Sequence, residues 1–348
     1  MQNSIKKYSD NLCMKLILAI HFFLSSEDMD HKQSTSPKGF LLFLIFLIGI
    51  FAISSSSIFS RLSQQEAPSL IIASVRLFVA SIILLPIVAI NGRDEFKKIN
   101  WKVIYLFLLA GLFLSLHFAS WISSLEYTSI ASSVVLVTTT PLWVALFSPI
   151  FLKEKNNPKI WIGISIAILG SVVVAGSQTC SFEPGLFMKC TGLRELFSTT
   201  SFLGNILALF GAWMIAGYII IGRKLRNKFS LTVYVFCVYS IAAVFLIIWS
   251  LILGYSFIGY SKMIYLWMIL LGIIPQLIGH STFNWALGHI PASFVSIVFM
   301  AEPMGTIILA FIFLRENPKL GEILGGILIL LGILLVSIAN NPGKNQKQ

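Results

Sequence analysis

The sequence has few charged residues and lacks the residue clusters from which most catalytic sites are built. Asp, Glu, Lys and Arg make up 11% of its 348 residues, less than half of the ~25% found in soluble domains of average composition. The chain contains no glycine-rich phosphate loop, no closely spaced set of metal ligands and no G-x-S-x-G nucleophile motif. There is therefore no sign of an ATP-driven engine, and we expect neither a cofactor nor a metal.

Apolar residues dominate the composition and are arranged in long uninterrupted blocks. They account for 57% of the chain, and the mean hydropathy is +0.88. The blocks run for about 17 to 25 residues, the length with which a helix crosses the hydrocarbon core of a bilayer. The sequence thus predicts an all-α integral membrane protein with ten transmembrane helices, at residues 39–60, 70–90, 103–121, 128–152, 160–176, 201–221, 231–252, 263–283, 290–314 and 320–339.

The net charge of +11 is explained by membrane topology and does not indicate a nucleic-acid partner. With the N-terminus placed in the cytoplasm, the cytoplasmic segments of a ten-span chain hold 18 Lys and Arg residues, and the opposite side holds 6. Such an excess is what the positive-inside rule describes. We expect a multi-pass protein of the cell membrane, in bacteria the inner membrane, with both termini in the cytoplasm.

The two ends of the chain lie outside the predicted membrane core. Residues 1–38 form an N-terminal extension, in which the apolar stretch 12–24 is too short to cross a bilayer. This stretch fits an interfacial helix or a signal-like segment, and a third alternative is that translation begins at Met29. Residues 340–348 are predicted to be a cytoplasmic tail.

An external loop at residues 177–200 separates the two halves of the chain and carries two of the four cysteines. Cys180 and Cys190 lie within this loop, on the side that the charge distribution places outside. If that compartment is oxidising, a disulfide that closes the loop is one outcome, and two unpaired thiols are the other. In either case the pair would tie the loop and take no part in the chemistry.

An internal repeat divides the chain into two halves. Shifting the sequence by 162 residues lays 125–174 on 287–336 without a gap. The identities least expected by chance in apolar segments are Pro141/Pro303, Glu154/Glu316, Gly163/Gly325 and Gly170/Gly332. The halves, 39–176 and 201–339, each hold five predicted spans. Because five is odd, the second half starts on the opposite side of the membrane, so the repeats are predicted to be inverted, as in many secondary transporters.

Glu302 and Pro303 stand side by side in the middle of an apolar span, and the repeat places Thr140 and Pro141 at the equivalent positions. A carboxylate in hydrocarbon is costly, and a proline removes a backbone hydrogen bond and bends its helix. Both are tolerated where the freed groups find other partners or line a wet cavity. We therefore expect two bent helices to meet around a central cavity, with exposed carbonyls, hydroxyls and the carboxylate on its wall.

The role of Glu302 has two alternatives at this stage. As a functional group it would bind a proton or pair with a substrate amine, since ionisable residues inside membranes are commonly functional. As a structural group it would stay neutral, or pair with Arg76 and hold the second and ninth helices together. Arg76 lies about six residues into its span, so the favoured interpretation of this residue is that its long side chain extends to the membrane surface.

Hydrogen-bonding and aromatic residues in the third and eighth spans are the remaining candidates for a binding site. His117 and His280 differ by 163 positions, one residue off the repeat register, and Trp121 and Asn284 belong to the same two spans. Together these groups would line a pocket for a zwitterionic or heterocyclic substrate. Alternatively, each histidine bonds a backbone carbonyl and the tryptophans belong to the belts at the membrane surface.

These features resemble the EamA-type transporters of the drug/metabolite transporter superfamily, over residues 39 to 340. Each half of that family has a proline in its fourth helix, a Glu about a dozen residues later, and glycines in the fifth helix, where small residues allow close packing. The matching residues are Pro141, Glu154, Gly163 and Gly170 in the first half, Pro303, Glu316, Gly325 and Gly332 in the second, and also Glu302 and Arg76. Family members move amino acids, nucleotide-related metabolites, sugars or toxic compounds, mostly outward.

The inverted repeat and the resemblance together predict a secondary-active transporter that works by alternating access. The resemblance implies export of small metabolites such as amino acids or related compounds. Uptake or exchange of a nucleotide-related metabolite such as S-adenosylmethionine is the alternative. The expected partners are a small-molecule substrate, the lipid bilayer, and a proton or another coupling ion. Two other classes are an intramembrane enzyme that uses His117, His280 and Glu302, and a passive channel.

Overall fold

The computed structural model describes residues 39–128, 130–154, 157–182, 188–190, 199–309, 312 and 320–339, and helices make up most of this part of the chain. Helices are expected where apolar segments leave water, because a helix satisfies all its internal backbone groups within one segment. The first half contains α1 (Gly39–Ser54), α2 (Ser56–Ser63), α3 (Ser69–Asn91), α4 (Arg93–Phe96), α5 (Trp101–Tyr127), α6 (Ile130–Val137), α7 (Thr140–Phe151) and α8 (Pro158–Thr179).

The second half repeats this order of helices after a pair of short strands. The strands are β1 (Cys180–Phe182) and β2 (Met188–Cys190). The helices are α9 (Thr199–Arg226), α10 (Leu231–Ile252), α11 (Lys262–Leu271), a π-helix (Gly272–His280), α12 (Ser281–Ala286), α13 (Ala292–Val298), a 3₁₀ turn (Phe299–Ala301), α14 (Glu302–Leu309) and α15 (Leu320–Ala339).

Seven stretches of the described helices are long and apolar enough to cross a membrane, which confirms a multi-pass membrane protein. They are Leu42–Ser63, Ser69–Asn91, Trp101–Tyr127, Ser201–Arg226, Leu231–Ile252, Lys262–Ala286 and Ala292–Leu309. Three more apolar helices are shorter, namely Thr140–Phe151, Pro158–Val173 and Ile323–Val336. These three fall on the predicted fourth, fifth and tenth spans, so the count of ten spans stays a prediction.

The two spans that carry Pro141 and Pro303 are both broken just before the proline. In the first half, α6 ends at Val137 and α7 begins at Thr140. In the second half, the 3₁₀ turn Phe299–Ala301 separates α13 from α14. A proline has no N–H to offer to the preceding turn, so the break follows from the residue type. The bent helices predicted from the sequence are present.

Glycine contacts show that the sequence repeat is also a structural repeat. A Cβ on Gly49 of α1 would lie 2.8 Å from Thr282 in the second half. A Cβ on Gly211 of α9 would lie 3.1 Å from Ser120 in the first half. The two glycines differ by 162 positions, and so do their two partners. The repeat register of 162 therefore holds well outside the segment in which it was first visible.

Two arginines make the same bond at equivalent positions of the halves. Arg61 donates from Nη1 to the backbone carbonyl of Leu125. Arg223 donates from Nη1 to the carbonyl of Leu287, at 2.6 Å. Both residues of the second pair stand 162 positions after those of the first. Such a match of polar contacts indicates duplication of the whole five-helix unit.

The last helices of the two halves, α8 and α15, pack against each other in opposite directions. A Cβ on Gly163 would lie 2.8 Å from the carbonyl oxygen of Gly332, and a Cβ on Gly170 would lie 2.5 Å from that of Gly325. Position numbers rise along one helix as they fall along the other, so the pair is antiparallel. The expectation that these glycines allow close helix packing is confirmed.

The predictions for the loop 177–200 and for the two ends of the chain can be compared with the structure only in part. The strands β1 and β2 pair antiparallel, and the backbone register places Cys180 opposite Cys190. The side chains of these cysteines lie outside the described part, so a disulfide stays a prediction. Residues 1–38 and 340–348 also lie outside the described part, and the extension and the tail stay predictions as well.

Candidate functional site

A cavity lies between the two halves, and both halves supply its wall. Its empty space, which includes open solvent outside the wall, is about 510 Å³. The first half contributes Ile53, Ser56, His117, Phe118, Trp121, Val137, Thr138, Thr140 and Pro141, and the second contributes Ile215, Ile219, His280, Ser296, Phe299, Met300 and Glu302. A cavity that both repeats border is where a transporter built from two halves is expected to bind its substrate.

Six of the nine site residues predicted from the sequence line this cavity. They are His117, His280, Trp121, Thr140, Pro141 and Glu302. Pro303 is buried next to Glu302. Arg76 and Asn284 are also buried but do not belong to the cavity wall. The two broken spans therefore meet at the cavity, as the positions of their prolines indicated.

Glu302 presents an unpaired carboxylate to the cavity. Its backbone carbonyl accepts a hydrogen bond from the hydroxyl of Ser54, at 2.8 Å, which holds the start of α14 against α1. The same carbonyl accepts a second bond from the hydroxyl of Thr306 within α14, at 3.1 Å. Its side-chain carboxylate, in contrast, has no hydrogen-bond or ion-pair partner among the described residues. The alternative that Glu302 pairs with Arg76 is wrong, because the guanidinium of Arg76 bonds other groups.

The carbonyls freed by the two prolines find local partners. Pro141 cannot bond the carbonyl of Val137, and the hydroxyl of Thr140 donates to that oxygen instead, at 2.7 Å. Pro303 cannot bond the carbonyl of Phe299, which accepts the N–H of Glu302 in the 3₁₀ turn. Val137 and Phe299 both line the cavity, and the exposure of their carbonyl oxygens on its wall stays a prediction. In the first half a hydroxyl replaces the lost N–H, and in the second half a tighter turn does so.

Arg76 is fully buried, with 0% exposure, although it stands near the start of its helix. Its Nε donates to Oε1 of Gln276 and its Nη1 donates to Oγ of Ser56, each at 2.7 Å. Its guanidinium carbon lies 4.1 Å from the centre of the Phe118 ring, in cation–π contact. The interpretation that this side chain extends to the membrane surface is wrong. The arginine instead joins α3 to α2, the π-helix and α5 behind the cavity wall.

His117 and Trp121 stand one turn apart on α5 and form one side of the cavity. Nδ1 of His117 lies 2.9 Å from the carbonyl oxygen of Gly211. Because a carbonyl oxygen accepts, Nδ1 carries the proton and donates. The ring of His117 is parallel to that of Trp121, with centroids 6.2 Å apart and an angle of 2°. His117 therefore fits both of its alternatives, since it bonds a carbonyl and still lines the cavity.

His280 differs from His117 in its surroundings. It ends the π-helix, a rare conformation that is frequent at functional sites. Its ring meets the edge of Phe118 at 5.3 Å, and its Nδ1 is buried without a hydrogen-bond partner in the described part of the chain. Nε1 of Trp121 is in the same situation. Two lining rings thus carry a nitrogen for which the described residues offer no hydrogen-bond partner.

Asn284 belongs to a buried network away from the cavity. Its Oδ1 accepts from the hydroxyl of Tyr218 at 2.6 Å, and its Nδ2 donates to the hydroxyl of Tyr239 at 3.1 Å. Nε of Arg226 donates to its backbone carbonyl at 3.0 Å. These bonds use both ends of the amide, so the structure gives Asn284 a packing role among α9, α10 and α12.

Sequence reasoning missed three residues that shape the site. Ser56 lines the cavity and also receives the bond from Arg76. It belongs to a run of four serines, Ser54–Ser57, inside an apolar span, and that run was a usable signal. Phe118 and Phe299 line the cavity too, but phenylalanine is so common in this chain that no pattern singled them out.

Three titratable side chains of the described residues border the cavity without bonding to one another. His117, His280 and Glu302 border the same cavity, yet no hydrogen bond joins any two of them within the described residues. Acid–base catalysis requires such groups within hydrogen-bond reach of one another or of the reacting atom. In the same part of the chain, no group of three His, Cys, Asp or Glu residues is placed to hold a metal.

Comparisons with known proteins agree with the duplicated architecture. Residues 39–176 and residues 202–338 each match the model of the EamA-like transporter family. A protein of Archaeoglobus fulgidus named "Uncharacterized transporter" is 24% identical over 84% of this chain and 96% of its own length. The "Uncharacterized transporter YwfM" of Bacillus subtilis is 22% identical over 88% of this chain and 97% of its own length.

Two further similarities are more limited. The "S-adenosylmethionine uptake transporter" of Rickettsia felis is 26% identical, over 40% of this chain and 46% of its own length. A solved crystal structure superposes with a TM-score of 0.67 over 86% of this chain and 97% of that chain, at 18% identity. The structural similarity shows a shared fold.

Proposed function

This chain belongs to the EamA-like transporter family, and from that premise we propose that it is a secondary-active transporter working by alternating access. Relatives that match most of its length are named transporters. The observation that carries the proposal is the cavity, which both repeats border and which contains the unpaired carboxylate of Glu302. Rocking of two inverted halves would open such a site first to one face of the membrane and then to the other.

The proposed arrangement in the membrane has ten spans and two inverted five-helix repeats, at residues 39–176 and 201–339. The antiparallel packing of α8 on α15 supports the inversion. The excess of Lys and Arg in alternate loops supports a cytoplasmic position for both termini. We place the protein in the cell membrane, in bacteria the inner membrane.

The proposed substrates are small metabolites such as amino acids or related compounds, with transport directed outward. Uptake or exchange of S-adenosylmethionine is the alternative, and the observation that favours it is the similarity to the Rickettsia felis protein of that name. Because that similarity covers less than half of either chain, export of small metabolites stays the first proposal.

Glu302 is the proposed site of ion coupling. Its carboxylate lies on the cavity wall and can bind either a proton or a cationic substrate, since no described residue forms a hydrogen bond or an ion pair with it. The carboxylate would then bind either a proton or the substrate, but not both at once. A proton gradient could therefore drive transport of the substrate. Of the two structural alternatives for Glu302, the ion pair with Arg76 loses support because Arg76 bonds Ser56 and Gln276, and a carboxyl that stays neutral remains the other.

The test is transport into proteoliposomes. Compounds from a metabolite panel that raise the thermal stability of the purified protein are selected first, because a ligand that binds only the folded state stabilises it. We expect saturable accumulation that depends on an imposed pH gradient, and loss of the pH dependence in Glu302→Gln. Asp94→Asn, which removes an exposed carboxylate far from the cavity, is the control and should behave as wild type.

Other outcomes would identify other functions. Flux that never saturates and never exceeds equilibrium would indicate a channel. Conversion of a bound compound into a product would indicate an enzyme. Unchanged transport and unchanged pH dependence in Glu302→Gln would remove that residue from the coupling role and leave the transporter function standing.

A further inference from the structure

The cavity wall carries charge of one sign. Among the described residues that line it, Glu302 is the only one with an Asp, Glu, Lys or Arg side chain. The side chain of Glu302 is partly buried, and holding a carboxylate without an ion-pair partner in such a place has a free-energy cost. A cation that binds it with a charge-assisted hydrogen bond removes that cost. A ligand with a positive group therefore gains more from this cavity than a neutral ligand of the same size.

The nearest buried cation is separated from the cavity. The guanidinium of Arg76 lies over the ring of Phe118, and Phe118 and Ser56 form the wall on that side. Two of its nitrogens are already bonded, to Gln276 and to Ser56. A carboxylate on a ligand would therefore meet no cationic side chain on the described wall. This arrangement disfavours anions, and it favours a net cation over a zwitterion.

The rest of the wall is built for a flat group. His117 and Trp121 offer parallel rings on one side, and Phe118 and Phe299 add further aromatic surface. Aromatic faces attract both cations and other rings. The indole Nε1 of Trp121 is a donor without a partner in the described structure. A heteroatom that accepts a hydrogen bond, placed on the ligand's ring, would satisfy it.

We infer that the cavity binds organic cations in which a protonated amine or similar positive group is joined to an aromatic or heteroaromatic ring. The positive group pairs with the carboxylate of Glu302, and the ring lies against His117 and Trp121. This inference names the substrate class of the transporter proposed above and rests on that proposal. It narrows the range of small metabolites from amino acids in general to compounds with a net positive charge.

The experiment compares three probes of similar size on the purified full-length protein by isothermal titration calorimetry. 2-Phenylethylamine is cationic at neutral pH, 2-phenylethanol is neutral and 3-phenylpropionate is anionic. We expect the amine to bind about tenfold or more tightly than the alcohol, as for a hydrogen bond to a charged group, and the propionate to bind most weakly. 2-Cyclohexylethylamine, which keeps the charge but lacks the flat ring, should bind more weakly than 2-phenylethylamine.

Two variants test whether Glu302 causes the preference for the amine over the alcohol. Glu302→Gln keeps the shape of the side chain and should bind the amine and the alcohol about equally, whereas Asp94→Asn should keep the wild-type preference. Should Glu302→Gln fail to fold, the order of the probes on the wild-type protein decides alone. Equal binding of amine and alcohol, tighter binding of the propionate, a preference that survives Glu302→Gln, or no binding of any probe would each overturn the inference.

The two proposals can fail separately. Accumulation of an anionic or neutral compound in proteoliposomes, together with no amine preference, would reject the cationic substrate class and keep the transporter. Binding of the amine through Glu302 without accumulation of any compound would keep the cation site and reject transport.

Discussion

At the scale of single residues, Arg76 shows how a buried charge is accommodated without an ion pair. Its guanidinium is held by one amide, one hydroxyl and one aromatic face, from three different elements. Arginine suits such a place because its charge is delocalised over a plane that bonds at its edge and stacks on its face. The sequence suggested that Arg76 either extends to the membrane surface or forms an ion pair with Glu302, and the structure shows neither. Its partners Ser56 and Gln276 could not be predicted, because they are uncharged and distant in the chain.

Replacing Arg76 should lower stability because its partners would be left unsatisfied. Arg76→Met keeps the volume of the side chain but removes the donors to Gln276 and Ser56, at a cost of about 1–3 kcal/mol for each buried group left without its bond. Arg76→Lys cannot reach both partners from one nitrogen and should fall between Arg76→Met and wild type. Thermal unfolding in detergent measures both.

The control for Arg76 is Arg93→Met, because Arg93 is exposed and bonds only the carbonyl of Ala89 in the described structure. It should unfold close to wild type. If Arg76→Met proved as stable as wild type, the bonds of Arg76 would only balance the cost of burying its charge.

At the scale of helices, the sequence predicted where helices form, but it predicted only part of the backbone geometry within them. Each predicted span contains a described helix, because the length of an apolar run and the need to satisfy backbone groups set the outcome. The breaks before Pro141 and Pro303 were also predictable, since they follow from proline chemistry. The π-helix Gly272–His280 was not predicted, although it contains Pro275, which cannot donate a backbone hydrogen bond within the helix.

The close approach of α8 and α15 should not tolerate a methyl group at Gly170. An added Cβ would lie 2.5 Å from the carbonyl oxygen of Gly325 and 2.8 Å from the nitrogen of Ile329. These are backbone atoms, so the helices themselves would have to move apart. We expect Gly170→Ala to lower the free energy of unfolding by about 1–3 kcal/mol, as overpacking does elsewhere, measured by thermal or denaturant unfolding in detergent.

Gly211→Ala provides a matched comparison for Gly170→Ala. Gly211 is also a helical glycine in a predicted span, but the nearest atom to an added Cβ is the hydroxyl of Ser120, at 3.1 Å. That side chain can shift, and alanine favours the helix by about 1 kcal/mol over glycine. Equal losses in the two variants would show that the packing of α8 on α15 is looser than the structure indicates.

A salt bridge between Glu154 and Arg223 should couple the two halves energetically. The atoms are 2.8 Å apart, and the side chains are only 19% and 18% exposed. Glu154 also accepts the N–H of Ala292 at the start of α13, and Arg223 donates to the carbonyl of Leu287. A double-mutant cycle of Glu154→Gln and Arg223→Gln should show a coupling of about 0.5–3 kcal/mol, the range for residues in one network.

The pair Lys97 and Asp94 is the reference for that cycle. Its side chains are 77% and 87% exposed, so solvent screens the attraction and we expect no measurable coupling. A coupling at Glu154 and Arg223 as small as in the reference pair would mean that this contact does not hold the halves together.

At the scale of the whole molecule, the repeat made the position of the cavity and part of its wall predictable. Because Pro141 and Pro303 are equivalent and each follows a polar residue, the repeat predicted that Thr140, Pro141 and Glu302 lie together on the wall. Asn284 was misplaced because a polar residue in a buried helix can turn to a protein network as easily as to a cavity. Which side it faces depends on the tyrosines of α9 and α10, which no local pattern relates to it.

The inverted repeat predicts which loops face the same side of the membrane. Asp94 in α4 and Ser256, in the loop between α10 and α11, are both exposed and stand 162 positions apart. If the second half is the first half inverted, these equivalent positions lie on opposite faces. The basic residues Arg93, Lys97 and Lys98 place the first of them in the cytoplasm.

Cysteine labelling in intact cells tests whether Asp94 and Ser256 lie on opposite faces. The four native cysteines are first replaced by serine. A membrane-impermeant maleimide should label Ser256→Cys from outside, and Asp94→Cys only after the cells are permeabilised. Labelling of both from the outside, or of neither until permeabilisation, would make the halves parallel. That result would reject the inverted arrangement of the repeats, but it would not by itself reject alternating access, because parallel halves can also rock around a shared cavity. Labelling of the two positions from opposite sides would support inverted halves, which would rock around the cavity that both border.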